Sequence, residues 1–345
     1  MIAMPIRMAL SAFALPLALA LGAQGACADP IEDFYKGKQI QLIIGVGEGG
    51  GYDLSARLAA MHLSKFIPGN PAIVPRNMPA AGSIAAAEYV YSVAPRDGTV
   101  LGMFQPTYIT EKINDARRKY EYEKFTYIGR VDSSVLIGLA WHSSPVQSVE
   151  DAKRIETPLA AVAAAGTSAT MPWALNRILG TKYKVVLGYP SSAAMGLALE
   201  RGEAQGIGST SWDYLLTKRE WIEEKKIKIL YVIALERFRE FPDVPTVMEI
   251  VDRPLDKGAM KLISSTSSVG RALLAPPDND KARTAALRAA FDKMAKDPEF
   301  LADAEKRRLG SDTLDGQSLQ DLVADVAAQP PEVIERMKEL TAPLQ

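Results

Sequence analysis

Cysteine and histidine are scarce in this sequence, and their scarcity excludes several kinds of chemistry. One Cys and two His occur among 345 residues. Neither the paired Cys or His of a zinc site nor a set of disulfides can be built from them. The G-x-S-x-G pattern around the nucleophile of many hydrolases is also missing. We therefore expect no metal site and no hydrolase nucleophile, and a chain of this length can bury a large core without crosslinks.

An excess of charge of either sign is missing as well. Lys and Arg number 40 against 41 Asp and Glu, which gives a formal net charge of −1. With nearly equal numbers of acidic and basic residues, no basic patch for nucleic acid is expected, and no run of basic residues indicates a membrane-facing surface. Beyond residue 28, no apolar run reaches the ~20 residues that a bilayer span takes. We therefore expect no nucleic-acid partner and no membrane span in the remainder of the chain.

The first 28 residues differ from the rest, and their pattern predicts an export signal. Arg7 is their only charge, residues 8–22 are almost wholly apolar, and residues 26–28 (ACA) fit an A-x-A cleavage site. We expect export of the chain, with cleavage after Ala28. Attachment of a lipid to Cys27 is the alternative, but the residues before it lack the aliphatic side chain that such a site usually carries.

Short apolar runs alternate with helix-like stretches along the remainder of the chain, which predicts an α/β fold. We expect strands at 39–45, 72–75, 99–104, 135–141, 159–165, 183–188, 227–234 and 270–275. Apolar periodicity or small residues predict helices at 53–66, 82–93, 171–179, 193–202, 280–296, 298–309, 318–328 and 331–341. The length predicts two lobes, and the strand at 270–275 is expected to return to the first of them.

The stretch from Ile43 to Asp53, IIGVGEGGGYD, contains glycines in the G-x-G-x-x-G order of a dinucleotide-binding loop. Such a site needs an acidic residue about 20 positions further on to hold the ribose. No Asp or Glu occurs between Leu54 and Ala87, and Glu48 would repel the pyrophosphate. We therefore expect no cofactor and a different ligand for this loop.

The plan of strand, loop and helix occurs twice. The loop at 47–52 precedes the helix at 53–66, and the loop at 166–170 precedes the helix at 171–179. A helix start exposes backbone N–H groups and the positive end of the helix dipole, so each loop can hold an anion. Ser83, at another expected helix start, adds donors. Either loop alone would be interpreted as an ordinary turn, but the pair predicts a small anionic ligand held between two lobes.

Eight segments occur in a characteristic order over nearly the whole chain. They are FYKGKQIQLIIG (34–45), GEGGGYDLSARLAAMHL (47–63), NMPAAGSIAAAEYV (77–90), APRDGTVLGMF (94–104), AAAGTSATMPWALN (163–176), LGYPSSAAMGLALERGEAQ (187–205), FPDVPTVMEI (241–250) and ALLAPPDND (272–280). In this order they resemble the exported substrate-binding proteins of tripartite tricarboxylate transporters, the Bug family.

The resemblance implies a two-lobed α/β fold of the periplasmic-binding-protein type (type II-like), with the ligand cleft between the lobes. Lobe 1 would comprise residues 29–134 and 236–345, and lobe 2 residues 135–235. We expect a monomeric solute receptor without enzymatic activity, which binds a small carboxylate and delivers it to the membrane permease subunits of a tripartite tricarboxylate transporter. The lobes are expected to close about hinges near 132–135, 235–237 and 253–270.

By the same resemblance, loop amides and hydroxyls of both lobes hold the ligand. The expected ligand-binding residues are Gly47, Glu48, Gly49, Gly50, Gly51, Asp53, Gly82, Ser83, Gln105, Gly166, Thr167, Ser168, Thr170, Tyr189 and Ser211. The sequence departs from the family pattern where Glu48 stands in place of Pro, Pro190-Ser191 in place of Lys-Gly, and Gln205 in place of Asp. The ligand is left open among citrate-like acids, dicarboxylates, acidic amino acids and aromatic acids.

Two other functions remain open at this point. A ligand-sensing periplasmic module would present its loaded form to a signalling receptor rather than to a permease. An exported enzyme acting on a carboxylate would need a nucleophile with its base, or a metal, and the sequence offers no such set.

Overall fold

The structure, a computed structural model, describes Met1 and residues 29–164 and 166–343. The expected export signal and the lipid alternative at Cys27 fall on residues 2–28 and therefore lie outside the described residues. None of the helices within the described ranges is long and apolar enough to cross a membrane.

Strands and helices alternate through most of the described chain. The strands are β1 (Gln39–Ile44), β2 (Ala72–Asn77), β3 (Val100–Met103), β4 (Thr126–Arg130), β5 (Leu136–Trp141), β6 (Thr157–Ala160), β7 (Tyr183–Val186), β8 (Gly206–Ser211), β9 (Ile227–Ile233), β10 (Ala272–Ala275) and β11 (Leu314–Asp315). The helices are α1 (Pro30–Tyr35), α2 (Gly51–Leu63), α3 (Ile84–Ser92), α4 (Thr107–Asn114), α5 (Val149–Ala152), α6 (Thr167–Leu179), α7 (Ser192–Glu200), α8 (Trp212–Leu216), α9 (Arg219–Glu223), α10 (Pro254–Val269), α11 (Lys281–Met294), α12 (Pro298–Lys306), α13 (Gly316–Ala327) and α14 (Pro331–Thr341). Short 3₁₀ turns occur at Ser64–Phe66, Ala81–Ser83 and Tyr122–Lys124.

The first sheet has the strand order β11-β4-β10-β3-β1-β2. Strand β1 runs parallel to both β2 and β3, and its apolar side chains are buried, as is usual where helices cover a parallel sheet. Because parallel strands end at the same edge of a sheet, the loops that follow β1 and β3 lie side by side. Strand β10 runs antiparallel between β3 and β4, far from both in sequence.

The second sheet has the order β7-β6-β8-β5-β9. Strand β6 is parallel to β7 and β8, so these three strands deliver the starts of α6, α7 and α8 to one edge. Strand β5 is antiparallel to both β8 and β9. Each sheet therefore has a parallel part whose carboxyl edge carries helix starts, which is where α/β proteins usually bind ligands.

Two segments and one helix connect the sheets. Residues 131–135 lead from β4 into β5, and the chain leaves β9 through residues 234–253 to reach α10. The C-terminal helix α14 packs against α10 and also against α6 of the second sheet. Arg336 on α14 bonds Asp256 on α10 at 2.7 Å, and Arg177 on α6 donates to the carbonyl of Leu340 at 2.9 Å. Helix α14 thus contacts elements of both sheets.

Most expected elements are present, with shifted ends. The strand at 270–275 is confirmed as β10, which returns to the first sheet. The expected strand at 159–165 is wrong beyond Ala160, because the chain turns there toward α6. Helix α6 begins at Thr167 rather than 171, since Gly166 provides an extended N-cap and the polar residues 167–170 already form its first turn. Strands β4, β8 and β11 and helices α1, α4, α5, α8, α9 and α10 were not expected.

Candidate functional site

A cleft of about 540 Å³ lies between elements of the two sheets. It is lined by Tyr52, Gln105, Pro106, Thr107, Thr110, Glu111, Asn114, Ser134, Leu136, Gly166, Thr167, Thr170, Ile263, Thr266, Ser267, Met337 and Thr341. Its volume falls within the ~300–1,000 Å³ that is usual for small-molecule sites. A second cavity, of about 200 Å³, lies behind the segments that connect the sheets and is smaller than that range.

The polar groups of this cleft are mostly neutral hydroxyls. They come from Tyr52, Thr107, Thr110, Ser134, Thr167, Thr170, Thr266, Ser267 and Thr341. No lysine or arginine is among the described residues that line it, and its one acidic residue, Glu111, pairs with Arg118 at 3.1 Å. The hydroxyls of Thr107, Thr110, Thr266 and Thr341 donate to backbone carbonyls. The cleft is therefore suited to a ligand whose polar atoms accept hydrogen bonds from the remaining neutral hydroxyls.

The second-sheet loop reaches the cleft as expected from its place before α6. Gly166, Thr167 and Thr170 line the cleft at the start of this 13-residue helix. The hydroxyl of Ser168, in contrast, is buried and accepts a hydrogen bond from the Val162 amide at 3.2 Å. Ser209 donates to the Thr167 hydroxyl at 3.1 Å. Ser168 and Ser209 therefore hold the loop in shape, and Thr167 and Thr170 face the cleft.

The first-sheet glycine loop is exposed from Gly47 to Gly51, and Asp53 fixes its shape. The Asp53 carboxylate is 2% exposed and accepts from the Gly49 amide at 2.9 Å, from Arg57 Nε at 3.0 Å and from Asn77 Nδ2 at 2.8 Å. Burial alone would raise the pKa of Asp53, but the hydrogen bonds from Arg57, Asn77 and Gly49 hold it below its ordinary value. The carboxylate therefore braces the loop from within.

Ser83 also holds loops in place from within, rather than facing the cleft. Its position explains why residue 45, the first glycine of the dinucleotide-like pattern, has no side chain. Its buried hydroxyl donates to the Gly45 carbonyl at 2.9 Å and accepts from the Gln105 amide at 3.1 Å, which ties the ends of β1 and β3 together. A Cβ at Gly45 would lie 2.6 Å from the Phe104 Cβ and 2.7 Å from the Ser83 Oγ. Packing inside the first sheet therefore requires glycine at 45, whatever the loop binds.

The remaining expected residues lie apart from the lining of the cleft, except Gln105, which is part of it. Gly82 is exposed, and its carbonyl accepts from the Thr107 hydroxyl at 2.7 Å. Glu48 is exposed and takes part in none of the ion pairs found among the described residues. Tyr189 packs against the apolar cluster of the second sheet, and the Ser211 hydroxyl caps α8 by accepting from the Tyr214 amide at 3.2 Å.

Of the cleft residues that were not expected from the sequence, Tyr52, Ser134 and Ser267 are the most informative. The hydroxyls of Tyr52 and Ser134 lie 3.0 Å apart, and burial raises the pKa of Tyr52 to about 12, so its phenol stays protonated and can donate. Ser267 is 2% exposed, and its hydroxyl has no hydrogen-bond partner among the described residues. Tyr52 directly follows the glycine loop, which is a signal in the sequence. Ser134 and Ser267 carry no such signal.

A buried arginine beside the glycine loop was also missed. Arg271 is 1% exposed and bonds Asp132 through Nη1 and Asp213 through Nη2. Asp132 belongs to the segment between the sheets, and Asp213 lies at the start of α8 on the second sheet. A Cβ at Gly51 would lie 3.1 Å from Arg271 Nη2. Burial raises the pKa of Asp132 to about 6, although the charge of Arg271 opposes this.

Comparison with known proteins gives consistent matches. A family model described as "Tripartite tricarboxylate transporter family receptor" matches residues 55–338. A "UPF0065 protein in gbd 5'region" of Cupriavidus necator is 25% identical over 343 residues, 93% of this chain and 95% of that protein.

Solved structures share the fold. A TctC solute binding protein from Polaromonas, without ligand, has a TM-score of 0.71 at 19% identity, covering 88% of this chain and 99% of that one. MatC from Rhodopseudomonas palustris, with bound malate, has a TM-score of 0.54 at 20% identity, covering 88% and 99%. The expected α/β fold of the periplasmic-binding-protein type is thereby confirmed.

Proposed function

Because the chain belongs to the tripartite tricarboxylate transporter receptor family, we propose that it is a periplasmic receptor for a small carboxylate. Known members of this family and its structural neighbours are solute-binding proteins rather than enzymes. In this proposal the chain acts as a monomer, captures its ligand in the cleft between the two sheets and delivers it to the permease subunits of a tripartite tricarboxylate transporter.

The observation that carries the proposal is the row of neutral hydroxyls around the start of α6. A carboxylate needs several hydrogen-bond donors once water is removed, and a helix start adds unpaired N–H groups and a favourable dipole. Thr167 and Thr170 provide hydroxyls at that helix start, and Tyr52 and Ser134 lie on the same cleft. The malate bound by MatC is a dicarboxylate, which supports this ligand class for the present chain.

The proposed contact set follows from these placements. Gln105, Gly166, Thr167 and Thr170 contribute directly, together with Tyr52 and Ser134. The glycine loop from Gly47 to Gly51 lies outside the cleft lining, and it contributes backbone amides other than that of Gly49, which donates to Asp53. Asp53, Ser83 and Ser168 act indirectly, because their oxygen atoms are already engaged in holding the loops.

Capture requires the lobes, proposed as residues 29–134 with 236–345 and residues 135–235, to move relative to each other. Residues 131–135 and 234–237 connect the sheets and are the proposed hinges. A ligand that touches both α6 and the glycine loop binds the closed form more tightly than the open one. It therefore shifts the population toward closure by that difference in affinity.

The binding step is tested by thermal unfolding of refolded, ligand-stripped protein with a panel of mono-, di- and tricarboxylates. We expect at least one acid to raise the melting temperature, because ligand binds only the folded state. Thr167→Val removes one hydroxyl at similar volume and should weaken binding by about ten-fold, since a hydrogen bond to a charged group contributes ~1.5–3 kcal/mol.

Thr217→Val is the matched control, because the Thr217 hydroxyl is exposed and, within the described ranges, bonds only the Tyr214 carbonyl. It should leave the response unchanged. A panel in which neutral or cationic solutes shift the melting temperature and no acid does so would contradict the carboxylate assignment.

Delivery is tested separately from binding. A strain that lacks this gene should lose uptake of the identified acid at low concentration and regain it with the wild-type gene but not with Thr167→Val. Unimpaired uptake in the deletion strain, with binding intact in the purified protein, would favour sensing over transport.

A further inference from the structure

A cluster of potential metal ligands lies at the end of α2 opposite to the glycine loop. One donor atom each from His62, Asp297 and Glu299 lies within 4.8 Å of the others. His62 is next to the last residue of α2, and Asp297 and Glu299 stand at the start of α12. The cluster lies outside the lining of the ligand cleft.

The two ring nitrogens of His62 have different surroundings. Nε2 lies 3.3 Å from the carboxylate of Asp303, which favours the proton on that nitrogen. Nδ1 then carries a lone pair, has no hydrogen-bond partner in the described part of the chain and lies 3.9 Å from Oδ2 of Asp297. The side chain is 5% exposed, and its ring packs edge-on against Phe300, so it cannot easily turn toward water.

This arrangement is the one that metal-binding histidines show. A histidine that binds a metal through one ring nitrogen usually donates the other N–H to a carboxylate, which fixes the ring and raises its basicity. Here Asp303 is that carboxylate, and Asp297 lies beside the other ring nitrogen, with Glu299 in the same cluster. A lone pair that faces a carboxylate is unfavourable unless a cation or a proton lies between them.

The charges around the cluster leave room for a cation. Glu299 bonds Lys65 at 2.7 Å, and Arg307 bonds the Oδ1 atom of Asp303 at 2.9 Å. Three carboxylates therefore face two cationic side chains and His62. Lys65 and Glu299 are 46% and 74% exposed, so this ion pair is weak and can open.

We propose that His62 Nδ1, Asp297 and Glu299 form a zinc site that joins α2 to α12, with water completing the coordination. Zinc binds imidazole nitrogen and carboxylate oxygen at about 2.0–2.2 Å, so an ion fits among these donors after small movements of the side chains. When the metal binds, the Glu299 carboxylate releases Lys65 and coordinates the ion instead. The sequence alone predicted no metal site, because it has no His pair and no Cys cluster; here one His is joined by two carboxylates from a distant part of the chain. The proposal is independent of the proposed function.

The test is titration of the EDTA-treated full chain with ZnCl2, followed by calorimetry and by the melting temperature. All variants carry Cys27→Ser, so that the single thiol cannot bind the metal. We expect one zinc ion per chain with micromolar or tighter affinity and a higher melting temperature. Excess MgCl2 should not compete, since magnesium prefers oxygen ligands and water.

Variants separate the proposed ligands from other groups. His62→Gln and Glu299→Gln should each weaken zinc binding at least about ten-fold. Glu299 is exposed, so its variant is expected to fold even if the His62 variant does not. Lys65→Ala removes the competing cation and should strengthen binding by about two- to five-fold. His142→Asn changes the only other histidine, which is exposed, and should have no effect.

A proton on Nδ1 is the alternative occupant, and nitrogen NMR of the His62 ring distinguishes the two. A large change in the Nδ1 chemical shift on addition of zinc supports the site. An imidazolium that persists at pH 8 and ignores zinc would overturn it. So would zinc binding that survives both His62→Gln and Glu299→Gln, or the absence of stoichiometric binding.

Discussion

The loops that precede α2 and α6 share one plan but are held in different ways. The first loop is made of glycines, stands exposed and is fixed by the charged network of Asp53, Arg57 and Asn77. The second is rich in small hydroxyl residues and is fixed by neutral bonds of Ser168 and Ser209. A loop without side chains needs a strong internal brace, because nothing else limits its backbone. A loop with hydroxyls can supply both its own support and the ligand contacts.

The largest effect is expected at Arg271, which bonds both the segment between the sheets and the start of α8. Arg271→Met leaves Asp132 buried without its cation and frees Asp213, so the free energy of unfolding should fall by about 3–5 kcal/mol. Urea denaturation measures this loss. The double variant Arg271→Met/Asp132→Leu removes the stranded charge and should recover more than half of the loss. A stable single variant would show that the Arg271 network contributes little.

The second largest effect is expected at the charged brace. Asp53→Ala leaves the Gly49 amide and Asn77 without their acceptor, while Arg57 is 39% exposed and can turn to water. We expect a loss of about 2–4 kcal/mol in unfolding free energy and no measurable ligand response. Asp33→Ala, at an exposed position on α1, is the control. Retained ligand affinity in Asp53→Ala would mean that the first loop is not part of the site.

A smaller effect is expected at the neutral brace. Ser168→Ala removes the acceptor of one loop amide and should cost about 1 kcal/mol in unfolding free energy and a few-fold in ligand affinity. If Ser168→Ala were as damaging as Asp53→Ala, the contrast between a charged and a neutral brace would not hold. Urea denaturation of both variants under the same conditions measures the difference in their unfolding free energies.

The smallest effect on stability is expected at Gly50, with a large effect on binding. A Cβ there meets no atom within 4 Å, and its backbone is extended, so Gly50→Val should cost less than about 1 kcal/mol. The new side chain would cover the loop amides and should abolish the ligand-induced thermal shift. An unchanged shift would remove the first loop from the proposed contact set.

Local patterns predicted much of this molecule. Apolar runs located β1, β3, β5 and β9, and the two helix starts pointed to a cleft between two sheets. Strand β8 (GIGSTS) was missed because small polar residues give no apolar alternation, although all but its last residue are buried. Helix α10 was missed because serines, rather than large apolar residues, fill much of its buried face.

The site was predictable only where its residues are close in sequence. Tyr52 could have been inferred from its place after the glycines. The meeting of Tyr52 with Ser134 depends on the packing of α2 against the segment between the sheets, which no local pattern contains. The partners of Arg271 lie 139 and 58 residues away in the chain, so their convergence follows only from the complete fold.

The place of β10 between β3 and β4 has a consequence for how the chain folds over time. Until residues 272–275 are available, the first sheet lacks its central strand, and β3 and β4 each present an unpaired edge. Contacts between such distant segments form slowly, because a long loop must close first. A chain that becomes available from its N-terminus onward therefore cannot complete this sheet early. We expect the first sheet to stay incomplete until nearly all of the chain has been made.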